Sequence, residues 1–308
     1  MVDSNLEKYV TQLYKAIKGA GTDEDTLIKI SVENPLKTRL KIKSQYKLTY
    51  GSDLLDDFKS DLSGNFLELM LGLYTDIYEY DADQCHKAIE GLGTNEDTLI
   101  EIIGTRPGWM IKKVKEIYKN KYKVELEDDV KGDTSGNFRK LLISLLQCSR
   151  SENKNPDKEK CTKIAEDLYN AGEKKLGTDE QTFNKYFGTT SPSELMIIAR
   201  EYHRLYGNSL MKAIESEFSG DIKKLIKTVF YANISPSEYF ATRIREAVKG
   251  LGTNEKILNR VIVTRNEIDI PIIKQYYKLL YGKDMVEDIK NDVSGDYRNL
   301  LIALLNKS

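Results

Sequence analysis

Apolar residues in this chain cluster at helical intervals. Ile257, Leu258, Val261 and Ile262 stand at i, i+1, i+4 and i+5, and Leu99, Ile100, Ile102 and Ile103 form a second such group. Each marks one face of a helix, and neither shows the alternation of a strand. The groups follow short glycine-rich turns: KGAGT at residues 18–22, EGLGT at 90–94, KKLGT at 174–178 and KGLGT at 249–253. The turn threonine reads as an N-cap, because acidic or Asn residues follow it, as in Asp23-Glu24-Asp25 and Asn95-Glu96-Asp97, and these suit a positive helix end. Ser63, Ser135, Ser219 and Ser294 read as caps of a closing apolar helix such as RKLLISLL. About five helices per copy and an all-α fold follow.

The copies share more than the turn. Tyr50, Tyr122, Tyr206 and Tyr281 each stand 29 residues after Gly21, Gly93, Gly177 and Gly252, and Asp61, Asp133, Glu217 and Asp292 each stand 40 residues after them. The acids lie in SDLSGNF, GDTSGNF, SEFSGDI and NDVSGDY, so an acid-x-Ser-Gly pattern supports the alignment independently. These are four copies of one unit. Turn-to-turn intervals of 72, 84 and 75 residues place the variation between copies. The polar stretch 149–160, SRSENKNPDKEK, reads as a linker dividing the chain into two pairs. The expected repeats are 1–75, 76–148, 161–232 and 233–308.

Composition then narrows the function. Forty-seven basic and 48 acidic residues leave a formal charge of −1, which argues against nucleic acid as a partner and against membrane attraction by net charge. Any anionic partner must be held locally. Cys85, Cys148 and Cys161 show neither CxxC spacing nor a disulfide framework, and read as reduced and buried in a cytosolic protein. No secretion signal or apolar run of membrane-spanning length is visible.

An isolated glycine turn, or an acid before Ser-Gly, ordinarily serves local structure. A turn needs no carboxylate at a fixed long distance, however, so four such pairs imply something that bridges them. Alternate glycines let successive carbonyls point to one side, and the carboxylate adds charge. Such hard oxygen donors suit Ca²⁺, which takes about six to eight oxygens, better than zinc. With only His86 and His203, a histidine-rich metal site is excluded. Three carbonyls and one bidentate carboxylate supply about five oxygens, leaving positions for water or a lipid phosphate. Calcium and membrane affinity would then rise together.

The KGxGT turn with its acid 40 residues on, in four copies spanning essentially the whole chain, resembles the annexin family; LEDDVKGDTSGNF and AGEKKLGTDEQTF are especially similar to family sequences. The resemblance implies a curved all-α disk of four five-helix repeats whose convex face carries calcium and meets the bilayer. It assigns carbonyls of Ile17, Gly19 and Gly21 with the Asp61 carboxylate to a first site, Ile89, Gly91 and Gly93 with Asp133 to a second, and Val248, Gly250 and Gly252 with Asp292 to a fourth. The third copy has Lys175 where a glycine is expected and resembles the family's variant repeat, implying Gly172, Lys175 and Gly177 with Glu217; Gly172 is one position out of register. The resemblance puts Ala20, Leu92, Leu176 and Leu251 at tips facing lipid, and gives Lys18 and Lys249 as headgroup contacts, with Glu90 replacing lysine in the second copy. Asp81, Glu101, Arg106 and Arg265 match residues lining the family's central channel, with Gln84 where an acid is expected. A buried salt-bridge network joining the two halves is the favoured reading of these residues over ion conduction.

The implied function is calcium-dependent binding to anionic phospholipid such as phosphatidylserine by a cytoplasmic protein that becomes peripheral on membranes when calcium rises, with self-association there as an option. No catalytic constellation stands against it: there is no Walker sequence, GxSxG, HExxH or EF-hand loop. Phosphate cradling by the turns lacks an adjoining strand. The alternative is a calcium-regulated scaffold linking membrane and cytoskeletal protein. The residues preceding the first helix, about 1–4, are too few for the regulatory segments family members place there.

Overall fold

A computed structural model describes residues 4–19, 21–250 and 252–307. Among the described residues there are twenty α-helices and no strand, five helices to each repeat. The first repeat holds α1 (Ser4–Lys18), α2 (Glu24–Glu33), α3 (Leu36–Tyr50), α4 (Leu54–Asp61) and α5 (Gly64–Leu73). The second holds α6 (Ile77–Ile89), α7 (Glu96–Thr105), α8 (Gly108–Tyr122), α9 (Leu126–Asp133) and α10 (Gly136–Leu146). The third holds α11 (Lys158–Ala171), α12 (Glu180–Thr189), α13 (Pro192–Tyr206), α14 (Leu210–Glu217) and α15 (Gly220–Ile234). The fourth holds α16 (Pro236–Val248), α17 (Glu255–Arg265), α18 (Ile270–Tyr281), α19 (Met285–Asp292) and α20 (Gly295–Lys307). None is long and apolar enough to cross a membrane.

The apolar stripes lie in the core: both quartets, Ile257 to Ile262 and Leu99 to Ile103, are buried. The 29-residue register also has a physical meaning. Tyr50 stacks on Tyr14 at 3.8 Å, Tyr122 on His86 at 3.7 Å and Tyr206 on Tyr169 at 3.7 Å, while the Arg245 guanidinium covers Tyr281 at 5.5 Å. In every repeat the last residue of the third helix thus clamps the first helix, a contact worth about 0.5–1.5 kcal/mol for an aromatic pair.

Helix capping differs from expectation. The N-caps of α2, α7, α12 and α17 are Asp23, Asn95, Asp179 and Asn254, whose side chains accept from the amides of Thr26, Thr98, Thr182 and Ile257. Asp and Asn cap better than Thr, so the cap moves one residue on and frees the turn threonine. Ser63, Ser135 and Ser219 do occupy N-cap positions, but their hydroxyls accept no capping bond. The following glycines enter the helix at φ of about +60°, a conformation that favours glycine.

Tertiary pairing also departs from the expected division at 149–160. One compact unit comprises residues 1–80 and 240–308, the other 81–239, so repeat 1 packs with repeat 4, and repeat 2 with repeat 3. Each unit is built the same way: the second helix of one repeat packs on the fifth of the other, α2 on α20 and α17 on α5, or α7 on α15 and α12 on α10. Small residues admit the close crossings. A Cβ on Gly72 would stand 2.7 Å from Val263 Cγ2, one on Gly104 2.8 Å from Thr228 Cγ2, and one on Gly188 2.2 Å from Ser144 Oγ.

Among the described residues no cysteine forms a disulfide; Cys85 and Cys161 are buried as expected, but Cys148 is partly exposed. It follows the end of α10 at φ +54°, beyond the helix's apolar face.

Candidate functional site

Each glycine turn joins the first helix of a repeat to the second and is closed by a backbone bond. The amide of Asp23 donates to the Ala16 carbonyl, Asn95 to Ala88 and Asn254 to Ala247, each seven residues back, whereas Asp179 donates to Ala171, eight back. The third turn is therefore one residue longer, which accounts for the register of Gly172. Gly21, Gly93, Gly177 and Gly252 have φ between +81° and +88° with nothing near a would-be Cβ. This left-handed bend favours glycine.

The freed threonine meets the distant acid. Thr22 Oγ1 donates to Asp61 Oδ2 at 2.8 Å, Thr94 to Asp133 Oδ2 at 2.9 Å, Thr178 to Glu217 Oε2 at 2.5 Å and Thr253 to Asp292 Oδ2 at 2.6 Å. In the last three the hydroxyl also reaches the acid's own carbonyl, at 2.9 to 3.4 Å. The acids are the final residues of α4, α9, α14 and α19. The structure thus brings each turn together with its acid, four times. Sequence reasoning missed the threonines as site residues; their signal was the Asp or Asn immediately after them, a better cap that leaves the hydroxyl unused.

Asp61 and Asp133 are exposed, and Glu217 and Asp292 half-buried. In the unit of repeats 1 and 4 the two acids share surroundings: Asp61 and Asp292, with Glu24, Glu255 and Asp296, line one cavity of about 400 Å³. Among the described residues no three His, Cys, Asp or Glu side chains gather to hold a metal.

The third turn has its own support. Tyr46, Tyr118 and Tyr277 donate to Asp57, Asp129 and Asp288, eleven residues on, at 2.6 to 2.7 Å. Tyr202 has Ala213 at that spacing. It bonds instead to Glu173 Oε2, from the lengthened turn, at 2.5 Å, and Asn208 Nδ2 holds Glu173 Oε1 at 2.7 Å. Gly172 lies against Glu217: a Cβ there would be 3.3 Å from its Cγ.

Leu92 and Leu176, at 109% and 104% exposure, pack against nothing in the chain; Ala20 and Leu251 lie outside the described residues. Lys249 is exposed, and Lys18, also exposed, pairs with Asp57 at 2.9 Å. Ser52 and Tyr46 hydroxyls complete that carboxylate's partners. Burial raises the Asp57 pKa, but these donors outweigh it and hold the group below the usual carboxylate range. Lys18 is thus engaged in the fold. Asp81 and Arg106 form a bidentate buried pair at 2.7 and 2.9 Å, and Arg265 pairs with Asp269. Each of these two pairs lies within one unit.

Comparison with known proteins agrees with this construction. The annexin family model matches residues 8–73, 80–145, 163–229 and 239–304. Annexin A13 of Homo sapiens is 42% identical over 302 residues, covering 98% of this chain and 96% of the relative. The solved structure of annexin III superposes with a TM-score of 0.95 at 37% identity, covering 99% of this chain and 95% of that one. Calcium-bound annexin (Sm)1 superposes with a TM-score of 0.86 at 32% identity, covering 97% and 90%. With four matched repeats and full-length relatives, the chain belongs to the annexin family.

Proposed function

We propose that this annexin binds anionic phospholipid membranes when calcium is present, each turn contributing one weak contact. The observation that carries the reading is the fourfold pairing of an exposed glycine turn with a carboxylate held by a threonine hydroxyl. The donor set fits Ca²⁺: hard oxygens, one carboxylate per turn and, among the described residues, no nitrogen or sulfur cluster. The carbonyls of Ile17, Gly19 and Gly21 with Asp61 would hold the first ion, those of Ile89, Gly91 and Gly93 with Asp133 the second, and those of Val248, Gly250 and Gly252 with Asp292 the fourth. The third set is Gly172, Lys175 and Gly177 with Glu217. Bound calcium would supply positive charge that a lipid phosphate oxygen can complete, so that ion and membrane strengthen each other reciprocally. Leu92 and Leu176, fully exposed at two tips, suit shallow insertion at the headgroup boundary. Four weak sites sum by avidity and release together when calcium falls. In the cell this makes the protein cytoplasmic at rest and peripheral on membranes when calcium rises.

Co-sedimentation with phosphatidylserine-containing and phosphatidylcholine-only vesicles, titrated with calcium and then treated with chelator, tests the reading. Reversible, calcium-dependent binding to the anionic vesicles is expected, falling stepwise as Asp61, Asp133, Glu217 and Asp292 are replaced by Asn or Gln. Helicity by circular dichroism should persist in the fourfold variant, since these acids serve loops. No binding at millimolar calcium overturns it.

A further inference from the structure

The third repeat departs from the others at three positions that meet in space. Counted back from the alanine whose carbonyl closes each turn, Asp167 stands where the other repeats have Gln12, Gln84 and Arg243. Counted on from the N-cap of the second helix, Tyr186 replaces Ile30, Ile102 and Val261. In the turn itself Lys175 replaces Gly19, Gly91 and Gly250. Tyr186 donates to Asp167 Oδ2 at 2.5 Å, a bond from α12 to α11 for which the aliphatic residues of the other repeats have no donor. Asp167, Lys175 and Tyr186 line one cavity of about 290 Å³ beside the third turn, together with Asp179 and Lys185.

The cavity holds charges of both signs, unequally committed. Asp179 caps α12, accepting from the hydroxyl and amide of Thr182, and the hydroxyl bond foremost holds it below the usual carboxylate range. Asp167 is half-buried and uses only Oδ2; among the described residues its Oδ1 accepts no hydrogen bond. Burial, and then the Asp167 bond, push the Tyr186 phenol up to about 12, so it remains a donor at neutral pH and holds the carboxylate in place. Lys185 lies over the Tyr186 ring at 4.9 Å. Lys185 and Lys175 are exposed, and among the described residues neither comes within ion-pair distance of a carboxylate. Asp167 precedes the end of α11 at Ala171 by four residues, a rise of about 6 Å, so its open oxygen sits one helical turn below the level of the glycine turn.

We propose that this cleft between α11 and α12 selects a phosphate ester bearing a primary ammonium group, the head of phosphatidylserine, with Asp167 as the residue that reads the amine. The proposal rests on the calcium reading of the third turn: the phosphate completes the calcium shell beside Lys175, and the ammonium reaches down to Asp167 Oδ1 in a charge-assisted bond. Lys185 then faces the headgroup carboxylate. A glycerol head brings no cation for Asp167, and a choline head brings a cation without an N–H to donate. The determinants are absent from the other repeats, so selectivity of this kind belongs to the third repeat, and the remaining turns respond to negative charge alone.

The test sediments the whole chain, in calcium, with phosphatidylcholine vesicles carrying equal fractions of phosphatidylserine or phosphatidylglycerol, two lipids of the same net charge. Wild type should partition about three- to tenfold more strongly onto phosphatidylserine. Asp167→Asn should remove that difference while leaving phosphatidylglycerol binding and its calcium dependence unchanged. Tyr186→Phe, which keeps the carboxylate but releases it, should remove part of the difference. Equal partitioning of wild type onto the two vesicles, or a preference that survives in Asp167→Asn, overturns the proposal. A soluble arm is independent of membrane binding: with calcium present, O-phosphoserine should shift the Thr182 and Tyr186 amide signals of wild type in NMR spectra but not those of Asp167→Asn, and glycerol phosphate should shift them less. No such shift overturns the site, and shifts without a vesicle preference overturn the lipid assignment in favour of a free phosphoamine. Failure to sediment with either vesicle refutes the calcium reading instead, and the soluble arm then decides the cleft by itself.

Discussion

Replacing Glu173 by Ala should destabilise the unit of repeats 2 and 3 by about 2–3 kcal/mol. Tyr202 is 1% exposed, and its hydroxyl donates to Glu173 at 2.5 Å. Removing the carboxylate takes away a charge-assisted bond and strands a buried phenol, costing on the order of 1–3 kcal/mol, and Asn208 loses its partner as well. A second substitution makes the reasoning specific. Ala213→Asp recreates the eleven-residue Tyr-to-Asp spacing of the other repeats. In wild type it sets a second buried carboxylate beside the same phenol and should cost about 1–3 kcal/mol. In the Glu173→Ala background it should restore stability, giving a coupling of at least about 2 kcal/mol across the cycle. The chain has one tryptophan, Trp109 of α8, which lies in this unit, so its fluorescence during urea unfolding reports the relevant transition. Near-additive effects, or a Glu173→Ala midpoint unchanged within error, would refute the assignment of Glu173 as the stand-in for the missing aspartate.

Other outcomes follow from the same geometry. Thr94→Val removes both bonds from the turn to Asp133 and should weaken calcium-dependent vesicle binding by that repeat several-fold with little change in melting temperature, read by co-sedimentation beside thermal denaturation. Asp81→Asn leaves the buried Arg106 guanidinium without its bidentate partner and should cost about 3–5 kcal/mol by urea denaturation. Glu194 is raised by burial but lowered further by the Ser191 amide and Lys160, so its folded pKa lies below the ordinary glutamate value. The stability it lends is fully present above that ordinary value and is lost as pH falls through the depressed one. Glu194→Gln should therefore be less stable at neutral pH yet lose less on acidification, measured by melting temperature across the acid limb.

The sequence was most legible where chemistry repeats in register. The glycine turns, the tyrosines and the acids all meet partners that a fixed spacing foretells. The cap was misplaced because Thr and Asx stand side by side and both can cap; which one does depends on a carboxylate 39 residues away that claims the hydroxyl. Pairing of the repeats was misread for a different reason. A polar linker between repeats 2 and 3 suggests a boundary, yet adjacency in sequence does not decide which second helix meets which fifth helix. That choice rests on complementary small and large residues, Gly188 with Ser144 and Gly104 with Thr228, which have no period of their own. Lys18 illustrates a third limit: the resemblance gives it as a headgroup contact, and nothing in its own turn signals that Asp57, buried among hydroxyls 39 residues on, pairs with it.

The third repeat shows what the site preserves when its parts change. Its turn is one residue longer, its acid one methylene longer, and its glycine pattern broken by Lys175. The threonine bond nevertheless closes at 2.5 Å, against 2.6–2.9 Å elsewhere. Two of these departures offset one another, since Glu217 must reach a threonine set by a longer turn. Gly172 then has a second role beyond any carbonyl it offers: its missing side chain leaves the space that the Glu217 methylenes occupy, with a would-be Cβ only 3.3 Å from Cγ. Glu173, brought in by the same lengthened turn, fills the post that Ala213 leaves empty at Tyr202. The longer turn, the Glu in place of Asp and the absent helix aspartate are thus mutually dependent changes that keep one carboxylate fastened to one threonine, so the fourfold site is better defined by that bond than by the spacing of its glycines.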